Sequence, residues 1–315
     1  MSRLRTPISL TVVFALAACA SPAATVTAPP AQPAATVDVT RAFAQLQTEV
    51  AATDAALAPT AEPPTAAAPV GPTAEPASAF PGEAGDEAIL ILEPGPASEV
   101  VSPVVVAGLS DPAFEQTIIV QVLDESGETI GATATQINAD LGQRGPFRAE
   151  LTFNLSADQP GRILVFATSA RDGGLTHLTS AEVTLRTGGA PVITAAARSP
   201  EAVALFEPQL LASVGGGALH LRGFADYVFE NILNVALCGA GGSGAPDFLC
   251  GASDNLLATG SAYVASPDIG QPGSFEGDLA YSVPGPLPAR LVVYSTSPRD
   301  GGLTHLSSVE VQLAP

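Results

Sequence analysis

Read for the alternation of apolar and polar positions, the chain changes character at Ala88. From there, short runs rich in Val, Ile, Leu, Thr and Phe follow one another: AILIL, SPVVVAGL, QTIIVQVLD, ETIGATATQ, FRAELTFNL, GRILVFATSA and TSAEVTLR. Between them lie EPGPASEVV, LSDPAFE, DESGE, LGQRGP, SADQPG and ARDGG, which carry turn chemistry. Within TIIVQVLD, Ile118, Val120 and Val122 alternate with Ile119, Gln121 and Leu123, so one face is wholly apolar, as a sandwich interior requires. Seven such strands in about 100 residues, with no long helical period, predict an antiparallel β-sandwich.

The pattern then recurs. The octapeptide RDGGLTHL stands at Arg171–Leu178 and again at Arg299–Leu306, 128 positions later. The segments around it keep that offset, since RILVFATSARDGGLTHLTSAEVTL matches RLVVYSTSPRDGGLTHLSSVEVQL and GPFRAELTF matches GSFEGDLAY. Earlier segments align at 115, which pairs Gly108 with Gly223, Phe114 with Phe229 and Glu115 with Glu230. The chain therefore reads as two tandem sandwiches, residues 87–187 and 195–315, the second with about 13 extra residues in its middle. Those residues lie around LCGAGGSGAPDFLCGASDN. Cys238 and Cys250, twelve positions apart, read as a disulfide closing the insertion. Thiol redox chemistry is disfavoured, because there is no Cys-x-x-Cys and no attendant His.

Residues 19–86 follow another pattern. Segments such as APPAQPAAT and APTAEPPTAAAPVGPTAEP lack large apolar residues, and each Pro removes a backbone donor. This is linker composition, and some 68 residues of it would average roughly 50 Å as coil. One stretch, residues 40–57, places Phe43, Leu46, Val50 and Leu57 near one helical face behind Thr40. It reads either as a short pairing helix or as a transient one made by Ala-rich propensity.

Residues 1–18 carry Arg3 and Arg5, then an apolar run too short to span a bilayer, then Leu16-Ala17-Ala18 before Cys19. This is a secretory signal. Leu-Ala-Ala-Cys resembles the bacterial lipobox, which implies that Cys19 becomes the lipid-bearing mature N-terminus; the alternative is ordinary cleavage near Ala18. Loss of Arg3 and Arg5 would move the formal charge from −19 to −21. All twelve bases are Arg, against 31 acidic residues. A surface of that sign repels phosphate backbones and excludes nucleic acid as a partner.

Catalytic readings fare poorly. The three histidines, His177, His220 and His305, form no His-x-His or His-x₃-His, and no G-x-S-x-G is present. In each repeat, Arg171, Asp172 and His177, or Arg299, Asp300 and His305, form a candidate ligand-contacting cluster. One His and one carboxylate are too few ligands for a metal site. The simpler reading is that Asp-Gly-Gly supplies the positive φ angles of a hairpin and His begins the last strand, bonded to Asp. No metal, catalytic residue or cofactor is assigned.

With these residues in hand, the order ILILEPGPASEVVSPVVVAGLSDPAFEQTIIVQVLDESGETI, GPFRAELTF and VFATSARDGGLTHLTSAEVTL resembles the Gmad2 domain, the immunoglobulin-like module of bacterial spore germination and envelope lipoproteins. The resemblance covers about residues 88–186 well and 195–313 less completely. It implies an extracytoplasmic, non-enzymatic binding or spacer module. The expectation is a lipoprotein tethered to the bacterial envelope through its lipid, with an envelope protein or glycan as partner. The rival is an enzyme or a ligand- or metal-dependent factor using the repeated RDGGLTH loop.

Overall fold

The computed structural model describes residues 87–196, 202–226 and 228–315. The signal segment, Cys19, the linker and the 40–57 stretch lie outside the described residues.

The described residues are all-β, with short 3-10 turns and no α-helix. The N-terminal sandwich has eight strands: β1 (Ile89–Glu93), β2 (Glu99–Val101), β3 (Val104–Ser110), β4 (Thr117–Leu123), β5 (Thr129–Gln136), β6 (Gly145–Leu151), β7 (Gln159–Thr168) and β8 (Leu175–Arg186). One sheet runs β1-β3-β6 and the other β5-β4-β7-β8. Between them Ile118, Val120, Phe147, Ile163 and Val165 are fully buried, the inward positions of the period-2 pattern. The eighth strand, β2, lies inside EPGPASEVV, which composition assigns to a turn. It pairs parallel with the end of β8, so a neighbouring strand overrides the local Pro and Gly.

The C-terminal sandwich uses β9 (Val203–Glu207), β10 (Ala212–Val214), β11 (Ala218–Ala225), β12 (Ile232–Cys238), a β13–β14 hairpin (Pro246–Asp247 and Gly251–Ala252), β15 (Leu256–Ala265), β16 (Gly273–Ala280), β17 (Leu287–Thr296) and β18 (Leu303–Leu313). Apart from that hairpin and a short β15–β16 pairing that joins its two sheets, the strand plan follows that of the N-terminal sandwich, down to its irregularities. The β7/β8 ladder bulges at Ala167/Thr168, and β17/β18 bulges 128 residues later at Ser295/Thr296. Glu115 and Gln116 sit at positive φ, and so do Glu230 and Asn231. A second core gathers around Leu233, Val235, Phe275 and Leu291.

The boundary between the sandwiches differs from the expected residue 195. Val192 exchanges backbone bonds with Glu99, and the Ala196 N–H donates to Leu92 at 2.8 Å, so these residues complete the N-terminal sandwich and the second begins at β9. One glycine position in each sandwich is dictated by packing. A Cβ on Gly108 would overlap the Leu90 carbonyl and the Phe147 ring; one on Gly223 would overlap the Ala204 carbonyl and the Phe275 ring. Gly108→Ala is expected to destabilise by about 1–3 kcal/mol, as overpacking does, read from urea unfolding.

The two sandwiches share a sheet. β8 and β18 pair antiparallel at Leu178↔Leu306 and His177↔Ser307, joining β5-β4-β7-β8 to β18-β17-β12-β15. Leu178 therefore faces its own counterpart, which places an approximate two-fold axis between them.

Candidate functional site

The site starts from an oddity in two strands. GRILVF and ARLVVY are apolar runs, yet each holds an arginine, Arg162 in β7 and Arg290 in β17, 128 residues apart. By strand alternation Arg162 shares a face with Leu164 and Phe166, the face away from the sandwich core. Leu164, Phe166, Leu178, Val292 and Leu306 form a third buried apolar cluster on that side, between the two sandwiches. Both guanidinium side chains are 0% exposed. A buried guanidinium needs a counter-charge in hydrogen-bonding reach.

The repeated octapeptide supplies it, reciprocally. Arg162 Nη2 donates to both carboxylate oxygens of Asp300 at 3.1 and 3.0 Å. Arg290 Nη1 donates to both oxygens of Asp172 at 3.0 and 3.1 Å. Each loop thus reaches across the axis into the other sandwich. The preceding arginine crosses too: Arg299 Nη1 lies 2.7 Å from Glu182, and Arg171 Nη1 lies 3.5 Å from Glu310. Glu182 also accepts Arg162 Nε at 2.7 Å. Arg290 Nε, by contrast, is buried with no hydrogen-bond partner, so the two halves are not identical.

The loop itself is built as expected in part. Gly173 and Gly301 adopt positive φ, 76° and 71°, but Gly174 and Gly302 do not. Gly174 is required for close approach, because a Cβ there would meet Arg290 and the Leu249 carbonyl. The aspartates do not bond to the histidines. Asp172 Oδ1 accepts the Gly174 N–H at 3.0 Å, and Asp300 Oδ1 accepts the Gly302 N–H at 2.9 Å. Burial by itself raises both aspartate pKa values. Arg290, the Gly174 N–H and Arg171 outweigh it at Asp172, and the Gly302 N–H, Arg162 and Arg299 at Asp300, so both carboxyls titrate below their ordinary range.

The histidines flank the axis instead. His305 Nδ1 is 3.3 Å from Glu87 Oε1, which accepts the Thr179 hydroxyl at 2.6 Å. His177 titrates below the usual histidine value because burial outweighs the nearby Asp111 and Glu87 carboxylates. The proposed Arg171/Asp172/His177 cluster is therefore divided: arginine and aspartate serve the clasp, histidine the strand pairing. His220 lies apart and exposed on β11, 3.0 Å from Asp278. Among the described residues no three His, Cys, Asp or Glu side chains converge as metal ligands.

Cys238 and Cys250 are bonded and buried in the inter-sandwich cluster. The insertion they close lies over the Asp172 loop: the Leu175 N–H donates to the Leu249 carbonyl at 3.2 Å, and the Phe248 ring meets Phe166 edge-on at 5.1 Å. On the other side of the axis the short Asp124–Glu128 turn takes this place, with Gly127 against Asp300.

An open cleft of about 300 Å³ lies at the seam, where Ser180 and Glu182 face Thr296, Ser297, Thr304 and His305, with Phe229 at its edge. A second, of about 360 Å³, lies between the Arg171–Gly173 loop and the Gly-rich insertion.

The β-sandwich, the Phe-Glu turn and the RDGG hairpin agree with a sequence match. Residues 88–174 match Gmad2, the immunoglobulin-like domain of bacterial spore germination. That Gmad2 segment ends inside the first RDGG loop, at Gly174. No curated protein matches the chain. Among solved structures it is similar to dimeric latent PorU from Porphyromonas gingivalis at 11% identity and a TM-score of 0.22. That match covers 72% of this chain and 24% of the other, so the chain spans about a quarter of that protein's length.

Proposed function

We propose that this chain is a non-enzymatic lipoprotein of the bacterial envelope, in which two Gmad2-type sandwiches are clasped into one binding or spacer body on a linker. The observation that carries this reading is the reciprocal pair Arg162–Asp300 and Arg290–Asp172. The repeated loop, which is where a duplicated active site would be sought, has its carboxylates fully engaged in holding the sandwiches together. Residues 203–313 as a second, divergent Gmad2 copy are supported by the matching strand plan, bulges and positive-φ pairs. The family's description favours a setting in spore germination or a related envelope process.

Placement outside the cytoplasm rests on the signal segment, the lipobox-like Leu-Ala-Ala-Cys19 and the disulfide. The membrane is then a partner through the lipid, and an envelope protein or glycan is the partner of the folded part. Cys19→Ala tests the anchor: the variant is expected in the soluble extracytoplasmic fraction, while wild type sediments with membranes. Equal membrane retention of both would refute the lipoprotein reading.

A further inference from the structure

The seam cleft has the chemistry of a saccharide site, and we propose that it binds a neutral or amino-sugar glycan. This rests on the binding-module reading above and names its ligand class. The walls come from both sandwiches: Ser180 and Glu182 from β8, Thr296, Ser297 and Thr304 from the β17–β18 hairpin. Thr304 Oγ1 shares a hydrogen bond with Ser295 Oγ at 2.7 Å, and Ser297 Oγ accepts the Arg299 N–H at 3.2 Å. A hydroxyl has one donor and two acceptor positions, so each keeps capacity for the hydroxyls of a pyranose. Each Glu182 oxygen takes one arginine N–H, from Arg162 or Arg299, and keeps lone pairs for a sugar O–H or ammonium.

Phe229 supplies the apolar contact. The residue is 51% exposed, on a turn whose next two residues, Glu230 and Asn231, are set at φ 52° and 57°, with Asn231 buried. The backbone that carries the ring is thus a defined turn, and the electron-rich face of a phenyl ring suits the polarised C–H bonds of a sugar.

Two other ligand classes fit less well. An extended peptide wants an open strand edge, but the Glu182 carbonyl already accepts the Ala97 N–H and the Thr184 N–H donates to Ser98. An anionic polymer meets Glu182 and a chain of net charge −19, with Arg162 and Arg299 already neutralised. The cleft volume, near the lower end of the roughly 300–1,000 Å³ of small-molecule sites, suits a sugar unit.

The test is isothermal titration of the mature full chain with four probes: chitotetraose, cellotetraose, chitosan tetramer and a heparin tetrasaccharide. Binding of a neutral or amino tetrasaccharide is expected, weakened about tenfold or more in Phe229→Ala. Phe114→Ala, on the equivalent exposed turn of the other sandwich, serves as control and leaves binding unchanged. No binding to the first three probes, binding indifferent to Phe229→Ala, or preference for heparin each overturns the proposal. Capture of an envelope protein by both wild type and Phe229→Ala, without saccharide binding, also overturns it and leaves the module reading standing. Phe229-dependent binding followed by cleavage of the tetrasaccharide would uphold the cleft and overturn the non-enzymatic reading.

Discussion

Replacing both Asp172 and Asp300 with alanine is expected to split one cooperative unfolding transition into two. Asp172→Ala leaves the fully buried Arg290 guanidinium without a carboxylate partner, a change that typically costs about 3–5 kcal/mol, and Asp300→Ala leaves the buried Arg162 with Glu182 alone, at a smaller cost. That cost falls on the junction, because neither aspartate belongs to a sandwich core. Wild type should melt as one unit in calorimetry, since the sandwiches share a sheet and a buried cluster. The double variant should show two separate transitions, both lower than the original. A double variant that melts like wild type but loses partner binding would instead favour the repeated loop as a ligand site.

The same pairs set a pH dependence with a definite sign. Both aspartates titrate below their ordinary range when folded. Their contribution is therefore fully present above the unfolded aspartate value, about 4, and is lost as pH falls through the folded values. Acidification from pH 5 should weaken wild type more steeply than the double variant, which has nothing left to protonate at those positions.

Removing the disulfide is the second large effect. Cys238→Ser with Cys250→Ser should cost about 3 kcal/mol in the chain-entropy account, measured by urea unfolding. The loss should be one-sided. Only the Asp172 loop is covered by the insertion, through the Leu175 N–H to Leu249 bond and the Phe248–Phe166 contact. Amide exchange at Leu175 should quicken while exchange at Leu303, its counterpart across the axis, stays near wild type. Equal acceleration at both would show that the insertion acts on the whole fold and not on one clasp.

Much of the fold was legible residue by residue. The alternation in TIIVQVLD places Ile118, Val120 and Val122 inside, and all three are fully buried. The 128-residue offset anticipates matching hairpins, and the structure builds β7/β8 and β17/β18 with the same bulge. The strand β2 was not legible, because its pairing with β8 joins residues some 85 positions apart and its own composition speaks for a turn.

The site divides along the same line. The order of residues is enough to see that RDGGLTHL recurs, that Gly173 and Gly301 suit a tight turn, and that Cys238 and Cys250 can close a loop. It even displayed the other half of the clasp, an arginine at equivalent places in two apolar strands, GRILVF and ARLVVY. It takes the folded arrangement to show that Asp172 belongs to Arg290 and Asp300 to Arg162, partners 118 and 138 positions away. The reason is physical. Turn formation depends on a few neighbouring dihedrals and can be read locally, whereas a buried charge is satisfied by whichever opposite charge the packing of two sheets brings within about 3 Å.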